Sequence, residues 1–302
     1  MLHGNGIFAL RIAEIMKAES ESVTHTLMHD WLRPDWPVPA HVHALCTTRN
    51  GGVSAPPFDS LNLGHHVGDD PAAVRANWAV LQAALDAAAG RPVHLAWLHQ
   101  VHGTVVQPLD CASVPGRDAD ACTTTLPGVA CTVMAADCLP VLLTNRAGTR
   151  VAAAHAGWRG LAAGVLEAAL QSFWQETPAG QAPEAINTVA SQRGQEILAW
   201  LGPCIGPQAF EVGDEVRAAF CAQDPQAARH FRPQGRAGKW MADLAGLARQ
   251  RLRAQGVTAL YGNDGSTPWC TVANASRFFS HRRDSARLGG SGRMAACIWL
   301  GG

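Results

Sequence analysis

The sequence predicts an α+β fold built from layered mixed β-sheets flanked by helices. Three observations predict it. The chain has 302 residues, 47% hydrophobic and 16% charged, enough to bury a large core without disulfides or a structural metal. Apolar runs of strand length mix with amphipathic stretches of helical period. The two kinds do not follow the regular strand–helix rhythm of a doubly wound sheet, which favours packed mixed sheets.

The elements follow in order. Residues 1–30 lack a clear period, and Glu19, Ser20, Glu21 and Ser22 form a polar break. They are expected to be a disordered extension ahead of a single domain at 31–302, with Met28 as an alternative start. His41–Thr48 suits a strand, and Arg49-Asn-Gly-Gly-Val-Ser a turn-rich loop. Asp70-Pro71 opens a helix, with Asp as cap and Pro in the first turn. Val74, Trp78, Leu81 and Leu85 recur at helical spacing until Gly90 stops it. Pro92–Val106 alternates like a strand broken at Gly103. Gly128–Met134, Val141–Thr144 and Val151–Ala154 are short apolar strands. Leu161–Trp174 reads as one helix, with Leu161, Val165, Ala169 and Phe173 on a stripe. Residues 177–196 are polar and Gln-rich, and are expected to form a surface insertion. Ile197–Leu201 is a strand, followed by the double turn Gly-Pro-Cys-Ile-Gly-Pro. Asp214–Phe220 starts a helix, Asp243 caps another that Gly256 closes, and Cys297–Leu300 is the last strand.

Composition narrows the function classes. Lys plus Arg is 24 and Asp plus Glu is 24, which argues against a nucleic-acid binder. Lys17 and Lys239 are the two lysines, and neither lies in a phosphate-loop motif. Nine cysteines without scaffold spacing read as a reduced, cytoplasmic protein. No apolar run reaches the roughly 18 residues of a membrane span.

Three short stretches carry metal-capable side chains between glycines and strand ends: Leu98-His-Gln-Val-His-Gly103, Ala136-Asp-Cys-Leu-Pro140 and Ala154-His-Ala-Gly-Trp-Arg-Gly160. On a regular strand His99 and His102 face opposite sides, so one of them at most joins a shared site, and a bulge changes this. One thiolate and two imidazoles make a tripod that zinc accepts while keeping a fourth position open; copper suits it too. Asp137, beside the cysteine, is a candidate acid/base group, and Gln100 shares the face of His102. Gly157-Trp-Arg-Gly opens a helix whose start, with Arg159, is a candidate anion site, and Arg49 is a second. A cysteine in an apolar stretch also packs as core, and pattern alone does not bring the three stretches together.

The same motifs carry a resemblance. Gln-Val-His-Gly, Ala-Asp-Cys-Leu-Pro-Val-Leu-Leu and Ala-His-Ala-Gly-Trp-Arg-Gly, in that order, resemble the YfiH-like family. So do Thr47-Thr-Arg-Asn-Gly-Gly-Val-Ser, the Leu201–Gly213 segment, Phe279-Ser-His-Arg-Arg-Asp and Gly292-Arg293. The likeness runs from about Trp31 to Leu300. Its members are known as multicopper polyphenol oxidases, or laccase-domain proteins, and as purine nucleoside phosphorylases.

The resemblance implies a YfiH-like α+β fold and a metal triad on His102, Cys138 and His155. It implies zinc, with copper as the alternative. It also implies phosphorolysis of adenosine, inosine, guanosine or methylthioadenosine and deamination of adenosine. Cys138, Asp137 and Gln100 are then the catalytic candidates, and Arg49 and Arg159 the phosphate binders. A nucleoside and phosphate are the expected partners of a monomer or homodimer, with no nucleic acid and no membrane. Two other readings stand beside it: a copper-dependent phenol oxidase at the same tripod, and a metal-free cysteine hydrolase acting on cell-wall precursors. A multicopper oxidase needs His-x-His clusters and a His-Cys-His segment. This chain has 13 histidines, no His-Cys-His, and a single His-x-His at His41-Val-His43.

Overall fold

The computed structural model describes residues 29–113, 116–174, 194 and 196–302. Apart from His29, Asp30, Gly194 and Glu196, the extension expected at 1–30 and the insertion expected near 177–196 lie outside the described residues.

Two sheets form the centre. The first has four strands in the order β1 (Val42–Cys46), β13 (Met294–Leu300), β5 (Val129–Ala135), β2 (His94–Ala96). The second has six, in the order β12 (Ala259–Gly262), β8 (Ile197–Leu201), β6 (Leu139–Asn145), β7 (Val151–Ala156), β4 (Ala121–Thr124), β3 (Val106–Pro108). Both are mixed: β2–β5, β3–β4 and β8–β12 pair in parallel and the others antiparallel. A small antiparallel sheet, β10 (Phe231–Pro233), β11 (Lys239–Ala242), β9 (Glu211–Gly213), stands apart. This is the α+β architecture expected from the sequence.

The layers follow from which face each side chain takes. Val129, Cys131 and Val133 of β5 meet Leu142, Val151 and Ala153 in the core between the sheets. Ala130 and Met134, on the opposite face of β5, pack with Leu81 and Leu85 of helix α1 (Pro71–Ala89). Leu139, Val141 and Leu143 of β6 face helices α2 (Trp158–Ala163), α3 (Val165–Gln171), α4 (Asp214–Cys221) and α5 (Leu244–Ala254). The central strands are therefore covered on both sides, and all seven residues of β5 and of β13 are buried.

α1 begins and ends as expected. Asp70 accepts a hydrogen bond from Ala72 N, and Gly90 closes the helix in the left-handed conformation at φ +67°. Two expectations are corrected. The helix read over Leu161–Trp174 is two helices, because Gly164 sits at φ +105° and separates α2 from α3. The strand read over Pro92–Val106 survives only at its ends, as β2 and β3; the chain between them leaves the sheet. Helix α6 (His281–Leu288), capped by Ser280, was not anticipated. No helix among the described residues is long and apolar enough to cross a membrane.

Candidate metal centre and active site

Two segments cross from one sheet to the other, and each carries a ligand-type side chain. β5 is followed by Ala136, Asp137 and Cys138 before β6 begins in the second sheet. Asp137 takes φ +86°, a left-handed conformation rare for a side-chain residue. Three bonds hold it there: its carboxylate accepts from Thr271 Oγ1 and from Arg282 N, and its carbonyl accepts from Ile205 N. The β6–β7 register pairs Pro140 with His155, so Cys138 lands beside His155.

The other crossing, between β2 and β3, carries His102 at φ +61°. Its backbone bonds go to a carboxylate in place of a neighbouring strand. Asp120 Oδ2 accepts from Val101 N and Gly103 N, and Oδ1 from His102 N. This removes the alternation that made His99 and His102 equivalent candidates. His99 pairs with Asp118 at 2.6 Å on the surface, and His102 turns to the site.

Asp120 is fully buried and also accepts from Nδ1 of His155 at 2.8 Å. That bond fixes the imidazole tautomer and leaves Nε2 to face Cys138. Burial alone would raise the Asp120 pKa, but His155 and the backbone N–H groups of Gly103 and His102 hold it below the usual carboxylate range. Cys138 and His155 shift together. Burial opposes a thiolate, yet His155 and His102 pull the Cys138 pKa down to about 6. Burial likewise opposes an imidazolium, yet Cys138 and Asp120 raise His155 to about 9.

The ligand atoms of His102, Cys138 and His155 all lie within 4.8 Å of one another, with Cys138 Sγ 3.7 Å from His102 Nε2. A tetrahedral ion with bonds of about 2.0–2.1 Å to nitrogen and 2.3 Å to sulfur separates its ligands by about 3.4–3.6 Å. The soft, imidazole-rich donor set and its spacing fit such an ion, and Asp120 supplies the outer-shell carboxylate typical of one. Gly157 permits the approach. A Cβ there would lie 2.6 Å from His102 Cδ2 and 3.0 Å from Cys138 Sγ.

The tripod opens into a cavity of about 360 Å³, within the size range of small-molecule sites. Gln100, Arg159, His66, His281 and Arg293 also line it, and no lining residue is a carboxylate. Five of the seven residues singled out from sequence therefore meet here: Gln100, His102, Cys138, His155 and Arg159. Gln100 works as a backbone splint, its amide bonding both N and O of Met134 at 2.7 and 2.8 Å. Arg159 is exposed, with its guanidinium 4.4 Å over the Trp158 ring.

The other two, Arg49 and Asp137, are not among the residues that line the cavity. Arg49 donates to Asp59 O, Asp59 Oδ1 and Ala275 O, stacks on Phe279, and lies outside the cavity. Asp137 spends its carboxylate on Thr271 and Arg282, away from the cavity lining. These bonds hold the segment that carries Cys138.

Sequence reasoning missed three cavity residues. His66 reads as an exposed or capping histidine. His281 and Arg293 lie in quoted motifs but received no role. His281 Nδ1 is set by Ser285 Oγ at 2.7 Å. His66 stays neutral near pH 7, its pKa pushed down to about 4 by partial burial, Arg293, His65 and His99.

A group of three side chains able to hold a metal ion, at the seam of two mixed sheets, defines the class, an α+β protein with a candidate Cys/His centre. The chain belongs to the multi-copper polyphenol oxidoreductase laccase family, whose model matches residues 43–301. It is similar to purine nucleoside phosphorylase PA4543 of Pseudomonas aeruginosa, at 50% identity over 90% of this chain and 99% of that protein. It is 48% identical to purine nucleoside phosphorylase YfiH of Escherichia coli K12, over 88% of this chain and 97% of that one. The crystal structure of NMB0706 from Neisseria meningitidis superposes with a TM-score of 0.77 at 46% identity, covering 90% of this chain and all (100%) of that one. The YfiH-like resemblance of the motifs is thus shown.

Proposed function

We propose that this chain is a metal-dependent purine nucleoside enzyme. It cleaves adenosine, inosine, guanosine or methylthioadenosine with phosphate, and deaminates adenosine. One observation carries the reading: a Cys/His tripod with a buried carboxylate behind it, facing a cavity whose charged lining is cationic. The names of the relatives from Pseudomonas and Escherichia support it.

Zinc fits the donor set, and when bound it supplies a Lewis acid and a water activated at neutral pH. The protein groups do the rest. Arg159 and Arg293 hold phosphate against C1′ of the sugar. A phosphate oxygen bonds to C1′ as the glycosidic bond breaks. The electron pair leaves on the purine, which takes a proton from His281, oriented through Ser285. In deamination a water oxygen replaces the 6-amino group, which leaves as ammonia. Arg159 takes the phosphate role that the sequence had shared with Arg49, and Arg293 joins it.

The test is product analysis. Metal-analysed protein is incubated with adenosine, with and without phosphate. Adenine appearing only with phosphate is the expected mark of phosphorolysis, and inosine in both samples the mark of deamination. Unchanged adenosine in both overturns the reading. Cys138→Ala should lose bound metal and turnover together.

A copper-dependent phenol oxidase is favoured by the family's name and by a donor set that also suits copper. Against several coppers stands the single tripod: among the described residues, His102, Cys138 and His155 are the one group of three metal-capable side chains. Oxygen uptake with a phenol, above that of free copper, separates the readings. A metal-free cysteine hydrolase would keep its activity in chelator.

A further inference from the structure

β5 has two edges. One pairs with β13 as far as Ala135. The other pairs with β2 as far as Cys131, and Gln100 continues it at Met134. Two contacts fix the phase of this second edge. Gly128 O accepts from His94 N on the β2 side, and Met134 turns both N–H and C=O to Gln100. Polar groups along a strand alternate between edges with period two. The next residue in phase is Ala136.

Ala136 lines the cavity and is only 7% exposed. Among the described residues, no protein group bonds its N–H or its C=O. Buried backbone groups are paired in nearly every case, by protein, water or ligand. A donor and an acceptor left open together on a cavity wall form a strand edge waiting for a partner. That partner must be planar enough to fit beside the strand and must present an acceptor next to a donor.

We propose that the Ala136 edge binds the N1–C6 edge of the purine, which deepens the nucleoside reading above and rests on it. For adenine, Ala136 N–H donates to N1 and Ala136 C=O accepts from the 6-amino group. For hypoxanthine or guanine, Ala136 N–H donates to O6 and C=O accepts from N1–H. The 6-oxo purines carry donor and acceptor in the opposite order along this edge, so they meet it only with the base turned over relative to adenine. Cys138 lies two residues along the same segment, so in the adenine pose C6 comes to rest beside the His102, Cys138, His155 tripod. The sugar then faces the part of the lining that holds Arg159, the exposed cation of the cavity.

Base analogues test this without altering the protein. Binding of adenosine, 1-deazaadenosine, 3-deazaadenosine and N6,N6-dimethyladenosine to metal-loaded protein is measured by calorimetry, with phosphate withheld. 1-Deazaadenosine lacks the N1 acceptor and the dimethyl analogue lacks the 6-amino donors, so each should bind about tenfold or more weakly than adenosine. 3-Deazaadenosine keeps both groups and should bind within about threefold of adenosine. Equal binding of all four overturns the Ala136 assignment and leaves the nucleoside reading standing. Losses on 3-deazaadenosine as large as on 1-deazaadenosine also overturn it. Failure of every nucleoside to bind overturns the nucleoside reading, and this assignment with it.

Discussion

Asp120 organises more of the site than any ligand does. One carboxylate takes three backbone N–H groups around His102 and the Nδ1–H of His155. Asp120→Asn keeps the volume but turns one acceptor into a donor that faces donors. The expected outcome is a metal affinity about tenfold to a hundredfold weaker, read by metal titration of a folded variant. The Cys138–His155 pair makes a second prediction. In metal-free protein the alkylation rate of Cys138 should rise with a midpoint at about 6, where an ordinary thiol rises near about 8.5. The sign for stability follows from both shifts. The depressed Cys138 pKa contributes stability above the unfolded thiol value, lost as pH falls through about 6. The raised His155 pKa contributes stability below the unfolded imidazole value, lost as pH rises through about 9. The pair therefore stabilises the metal-free protein chiefly between those two pH values. A thermal midpoint measured across pH should show a plateau there and a fall on each side.

At the scale of elements, the site depends on backbones that approach closely. Gly157→Ala places a methyl against His102 and Cys138. It should lower metal affinity sharply while the circular dichroism of the sheets is kept, since the change lies outside the layered cores. The elements also show what the sequence could reveal. α1 was legible because it carries a capping Asp, a first-turn Pro, a periodic apolar face and a terminal Gly. β5 and β7 were legible as apolar runs because both of their faces are buried. α6 was not, since its sequence His-Arg-Arg-Asp-Ser-Ala-Arg-Leu buries only Asp284 and has no apolar stripe to count. The available signal was local: Ser280 caps Arg283 N, and Asp284 reaches back to Ser280 N. The 92–106 segment misled because Asp120, distant in sequence, takes the place of a neighbouring strand. The surroundings of Arg49 and Asp137 were not legible for a related reason. The partners of the Asp137 side chain, Thr271 and Arg282, and one partner of Arg49, Ala275, lie more than a hundred residues away.

At the scale of the whole molecule, three buried clusters hold the layers without any ion. Chelated protein should remain folded and unfold cooperatively. Its thermal midpoint should fall by a few degrees, as expected when a ligand at 100–1,000 times its Kd, worth about 3–4 kcal/mol, is withdrawn from a chain of this size. Calorimetry with and without chelator checks this; collapse into an unfolded chain would show that the metal is part of the scaffold.

His102 and Cys138 sit on the two segments where the chain passes from one sheet into the other, and His155 ends a strand of the second sheet. An ion gripped by all three is therefore a cross-link. It closes a ring of chain between His102 and Cys138, which are 36 residues apart, much as a disulfide would but with a bond that a chelator can open. Hydrogen exchange along both crossings should slow together when that ring is closed, and quicken together when it is opened.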